Sequence, residues 1–123
     1  MAIRDPKTIV AEFNDCINDQ NIEGLSNLMS EDHVFIDRDG KSYGPKSYMV
    51  EGWKEFFHMF PEYKNTFEKI KAFDNHVYVL GFAYWSEKEP YDPVIWSALI
   101  EGNLIIEWRI YVDTPENRKK FNL

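Results

Sequence analysis

Asp37 is the side chain with the clearest prospect of proton chemistry. It closes the run His33-Val34-Phe35-Ile36-Asp37, which reads as a short strand, and Arg38-Asp39-Gly40 follows as a turn. A carboxylate that faces an apolar cavity has a raised pKa and can work as a base or an acid. A carboxylate at a strand end can equally cap the Asp39-Gly40 turn or pair with Arg38 or Lys41. The residue types leave both uses open. Other candidates are weaker. Asp113 ends the last apolar stretch and reads as a strand-end surface group. Glu107 and Arg109 share a strand face that can be solvated or can meet another subunit. His33, His58 and His76 lie on three separate elements without His-x-x-x-His or clustered-carboxylate spacing, so no metal site is expected. His33 shares a face with Phe35 and Asp37; it can be a polar partner in the cavity, and a place at the solvent edge is the first expectation for it. No Gly-x-Ser-x-Gly, phosphate-binding glycine loop or Cys–His pairing is present, and no cofactor is expected.

These residues depend on elements that the apolar spacing outlines. Asp5-Pro6 starts a helix, because Asp caps well and Pro lacks only an N–H that has no partner there. Ile9, Val10, Phe13, Cys16 and Ile17 recur at helical spacing up to Asp19-Gln20. Asn21 caps a second helix carrying Ile22, Leu25, Leu28 and Met29. Ser30-Glu31-Asp32 breaks the pattern before the strand of His33. Ser42-Tyr43 is a brief return strand. Gly44-Pro45 opens a third helix, with Met49, Trp53, Phe56, Phe57 and Phe60 on one face, and Pro61 stops it. From Thr66 the period shifts toward two. Strands are expected over Thr66–Phe73, His76–Ser86, Val94–Ile100 and Leu104–Val112, with turns at Asp74-Asn75 and Glu101-Gly102-Asn103. Strict alternation sets Leu104, Ile106, Trp108, Ile110 and Val112 on one face. The tail from Thr114 to Leu123 reads as frayed or a short turn. Helices first and hairpin-linked strands after indicate one α+β domain over residues 1–123.

Composition narrows the function. The net charge is −7 and no dense Lys/Arg cluster is seen, which disfavours nucleic acid and anionic membrane surfaces. No apolar run is long enough to span a bilayer. The start, Met1-Ala2-Ile3-Arg4-Asp5-Pro6, lacks the apolar stretch of a secretory signal, and the single Cys16 cannot form an internal disulfide. A cytoplasmic protein is expected.

The element order, the Asn21-Ile22-Glu23-Gly24-Leu25 helix, the His33–Asp37 strand, Gly44-Pro45 before an aromatic helix and the closing Ile110-Tyr111-Val112-Asp113 resemble the nuclear transport factor 2-like superfamily over essentially the whole chain. The resemblance implies a cone-shaped, cystatin-like fold: three helices on a curved, mostly antiparallel sheet around an internal cavity. Within it, the chain is similar to the SnoaL-like polyketide cyclases and the ketosteroid isomerases. In the isomerases a carboxylate at the end of the first strand moves a proton beside a ketone, and Asp37 holds the matching position. The Tyr that donates to the oxyanion is matched by Phe13, which has no hydroxyl. The second donor, a carboxylic acid on the penultimate strand, has no counterpart in Ile95-Trp96-Ser97-Ala98-Leu99. Loss of one such donor costs about 100- to 1,000-fold in rate, so steroid isomerisation is rejected as the default, and Asp37 is kept as a candidate base. An Asp-Arg-Asp set like that of an epoxide hydrolase of this fold would need Arg109 beside Asp37 and Asp113, and the face assignment opposes it.

Phe13, His33, Phe35, Trp53, Phe57, Trp96, Trp108 and Val112 are the expected lining of a site for a small apolar molecule. The same rings can simply fill the space. With Asp37 inward, Val34 and Ile36 face out, and the strand from His76 is apolar on both faces. A homodimer is therefore expected. Two functions remain: acid–base chemistry of the isomerase or cyclase kind with Asp37 as base, or a non-catalytic ligand-binding or dimerisation domain.

Overall fold

A computed structural model describes residues 3–123; Met1 and Ala2, and with them the start of the segment read for a signal, lie outside the described residues. Asp5 accepts a hydrogen bond from the Lys7 N–H at 2.9 Å, and Pro6 occupies the first turn of α1 (Pro6–Asn18). Asn21 caps α2 (Ile22–Leu28) through the Gly24 N–H. No break follows. α2 runs straight into β1 (Met29–Ile36), so the first strand begins before the expected His33. After β2 (Ser42–Tyr43), α3 spans Lys46–Met59. The remaining elements are β3 (Lys64–Phe73), β4 (His76–Tyr84), β5 (Asp92–Glu101), β6 (Leu104–Val112) and α4 (Pro115–Lys120).

Six strands form one sheet in the order β2-β1-β6-β5-β4-β3. All neighbours are antiparallel except β1 and β6, because two helices carry the chain to β1 before the meander is built. α1 to α3 cover the concave face. Ile9, Val10, Phe13 and Ile17 of α1, Met49 and Phe57 of α3 and the inner strand residues Val77, Val79, Trp96, Ala98, Ile105 and Trp108 make the main core. Gly44 lets the link into α3 cross β1 closely, since a Cβ there would sit 2.8 Å from the His33 carbonyl oxygen.

Three details correct the sequence reading. The tail is not frayed. It forms α4, capped by Thr114, whose hydroxyl accepts from the Asn117 N–H at 3.1 Å, and it makes a fourth helix. α4 lies on the outer sheet face, where Phe121 packs on Leu80 and Ile95 with Tyr78 and Tyr111 around it. Second, strict alternation fails in β6. Ile105 pairs with Ile100 and Glu107 with Leu99, so Ile106 is an extra residue. This bulge buries Ile105, not Leu104 or Ile106, beside Trp108. Third, a bulge at Glu68 in β3 sits between the Phe67–Gly81 and Lys69–Leu80 pairs. Phe67 and Ile70 then face the core, and Lys69 and Lys71 turn to the outer side.

Candidate functional site

The expected site divides into an interior and a rim. In the interior, Phe13 is the hub. Its ring centroid lies 4.8 Å from Trp108, 6.2 Å from Trp53 and 6.3 Å from His33. Phe57 stacks on Trp53 at 5.4 Å. Trp96 meets Phe67 at 5.4 Å on the same core face. Phe13, Trp96 and Trp108 are 0–2% exposed, so these rings fill the cone beneath α3 as core. Val112 stands apart. It is 49% exposed at the end of β6 and lines nothing with the others. Phe35 reaches the core edge and faces Tyr43 at 6.1 Å.

His33 is buried, not placed at the solvent edge. Its Nδ1 lies 2.7 Å from the Ile105 carbonyl oxygen. A carbonyl only accepts, so Nδ1 carries the proton and Nε2 the lone pair. The contact spans the stretch where the β1–β6 register shifts between Met29 and Val34. Burial holds the imidazole pKa below its ordinary value, against the opposing pull of the Ile105 carbonyl. Trp53 contributes the other polar group of this layer. Its Nε1–H is enclosed and has no acceptor among the described residues. Trp53, Phe56 and Phe60 are only half-buried, so the ring layer reaches the surface of α3.

At the rim, Asp37 sits one residue past β1. Its Oδ1 accepts from the Asp39 N–H at 2.9 Å and the Lys41 N–H at 3.0 Å, and its Oδ2 accepts from the Tyr43 hydroxyl at 3.1 Å. The Lys41 N–H contributes most to holding its pKa below the ordinary carboxylate value, aided by the Asp39 N–H and the Tyr43 hydroxyl. The raised pKa expected of a carboxylate in an apolar cavity is therefore corrected: the charged form is solvated by its own hairpin. Nearby, Asp92 accepts from Arg38 at 2.9 Å and from Trp85 Nε1 at 3.0 Å, tying the β1–β2 turn to β5.

The remaining candidates do not join this group. Asp113 accepts from Arg118 Nε at 2.6 Å and Nη2 at 2.8 Å, which lowers its pKa. The Arg109 guanidinium lies 4.8 Å from the Tyr111 ring centroid on the outer side. No Asp-Arg-Asp set is assembled from Asp37, Arg109 and Asp113. No three His, Cys, Asp or Glu side chains converge on a common point among the described residues. Sequence reading passed over Tyr43 as a partner of Asp37 and Trp53 as a lone donor. Their aromatic character was visible, but not the direction of the hydroxyl or the indole N–H.

Residues 10–112 match the model of the SnoaL-like domain family. The fold is similar to an NTF2-like protein of unknown function from Cytophaga hutchinsonii, with a TM-score of 0.76 and 14% identity over 92% of this chain and 95% of that one. It is similar to a candidate SnoaL-like polyketide cyclase from Shewanella putrefaciens, with a TM-score of 0.78 and 12% identity over 98% of this chain and 86% of that one. A candidate polyketide cyclase from Sinorhizobium meliloti has a TM-score of 0.75 and 16% identity over 84% of this chain and 93% of that one. At such identities the likeness concerns the fold alone. No curated protein matches the chain.

Proposed function

The chain belongs to the SnoaL-like domain family, and from that premise we propose that it binds a small apolar, oxygen-bearing molecule beneath α3, with Trp53 as hydrogen-bond donor and without proton transfer by Asp37. The observation that carries this reading is the enclosed Trp53 Nε1–H, which has no acceptor among the described residues. A buried donor left unpaired costs about 1–3 kcal/mol, and a ligand oxygen would recover it. Phe13, Phe56 and Phe57 pack around that indole and supply an apolar wall. Two structural neighbours are named as candidate polyketide cyclases, so flat ketones are the first class to test. Entry requires the half-buried Trp53 ring to swing, because the rings beneath it are closely packed.

The test is a titration of the full chain with a panel of flat ketones, read by tryptophan fluorescence and by thermal shift. Trp53→Phe keeps a ring and removes the N–H, and it should weaken a binding ketone by about tenfold. Asp37→Asn should leave that affinity unchanged. Equal affinity in Trp53→Phe defeats the proposal. The closely packed interior favours a second reading, in which the domain serves assembly alone. That reading expects no ketone to bind and two copies to pair through the outer sheet face beside α4.

A further inference from the structure

The outer end of the sheet carries a feature that the charge of the chain conceals. Lys69 and Lys71 of β3 and Arg118 and Lys119 of α4 line an open cleft of about 640 Å³, together with Ile70, Asn122 and Leu123. The sequence reading found no dense cationic cluster; the fold builds one from two distant segments. The β3 bulge is responsible, because without the extra residue Glu68 the two lysines would alternate toward the core. The Arg118 charge is largely offset by Asp113, which accepts from its Nε–H and Nη2–H. Lys69, Lys71 and Lys119 have no ion-pair partner among the described residues. Three lysines without an ion-pair partner among the described residues thus line one concavity of a chain whose net charge is −7, with Glu68 as a neighbouring carboxylate on the Arg118 side. β3 is an edge strand of the sheet among the described residues, and its Lys69, Ile70 and Lys71 line the same cleft.

We propose that this cleft binds a small multivalent anion bearing phosphate. Lysine ammonium groups act as movable point charges and suit a tetrahedral anion that several of them approach from different sides. The volume lies within the range of small-molecule sites. A concave site on an acidic protein selects a compact free anion. An anionic bilayer or a nucleic acid would bring its extended charge against a chain whose net charge is −7. The site is on the opposite sheet face from Trp53 and does not depend on a ligand there.

The experiment is calorimetric titration of the full chain with pyrophosphate at low ionic strength. Saturable binding of one pyrophosphate per chain is expected, and added salt should weaken it. Lys69→Gln with Lys71→Gln should raise the dissociation constant by about tenfold or more. Both side chains are exposed, so the fold should persist, and circular dichroism checks this. Lys7→Gln with Lys88→Gln removes the same charge from exposed positions elsewhere and should leave affinity within about twofold. Absence of saturable binding overturns the proposal. So does an equal loss in both double variants, which would mean diffuse attraction. Binding to phosphatidylserine vesicles in preference to pyrophosphate would overturn the assignment to a free anion.

Discussion

The Asp37 carboxylate is solvated by donors from its own hairpin, and this sets its pH behaviour. Its folded pKa lies below the unfolded value of about 3.9. The folded state therefore binds fewer protons in that range, and the stability gained from Asp37 is full above the unfolded value and lost as pH falls through the folded one. Asp37→Asn should flatten the acid limb of a urea-midpoint profile below about pH 4. A limb in the native chain that begins well above that pH and vanishes in the variant would instead indicate a raised pKa. His33 works at higher pH. Its folded pKa is depressed by burial, so the unfolded chain takes up a proton first as pH falls below about 6.5. Stability should decline from that pH down to the folded pKa, and His33→Gln should remove this slope although the variant is less stable throughout. Sequence made both residues visible as candidates. It could not say which way their polar atoms turn, because a register shift in β1 and the turn after it decide that.

Elements were more legible than side chains. Caps at Asp5 and Asn21, the stop at Pro61 and the turns at Asp74-Asn75 and Glu101-Gly102-Asn103 are local signals, and at the two caps local hydrogen bonds satisfy them. Bulges were not legible, and α4 was foreshadowed only as a short turn, one of two alternatives for the tail. A bulge is fixed by what lies across the strand, and α4 is short and polar apart from the Phe121 that follows it. Gly81 marks the β3 bulge, since a Cβ there would come within 2.1 Å of the Thr66 carbonyl oxygen. Gly81→Ala should cost about 1–3 kcal/mol by overpacking, measured by chemical unfolding. It should also disturb the outward direction of Lys69 and Lys71, lowering pyrophosphate affinity. At the other end, Thr114→Ala should cost about 1 kcal/mol as a lost cap. Phe121→Ala should cost about 3 kcal/mol and raise dye binding to the exposed Leu80 and Ile95. A value near zero for Phe121→Ala would mean that α4 does not hold this face in solution.

At the scale of the whole molecule, the outer sheet face bears on the expected dimer. The expectation of a dimer rested on apolar strand residues left outside, and α4 now covers Leu80 and Ile95. Another cleft is lined by Val34, Leu99 and Ile106 together with Glu31, Asp32, Glu101 and Glu107. Under a two-fold axis the same patch occurs on both partners, so pairing centred on this region would set carboxylate against carboxylate. A dimer of that kind should tighten with salt, because about 0.1 M electrolyte screens charges beyond roughly 10 Å. Sedimentation velocity at low and high salt reads this directly. The dimer fraction should rise with salt in the native chain and should rise already at low salt in Glu101→Gln with Glu107→Gln. The opposite salt trend would mean that the acidic rim of one copy sits on the Lys69–Lys119 cleft of the other. Pyrophosphate would then compete with association, and the two measurements together separate a self-pairing surface from an anion site that stays free.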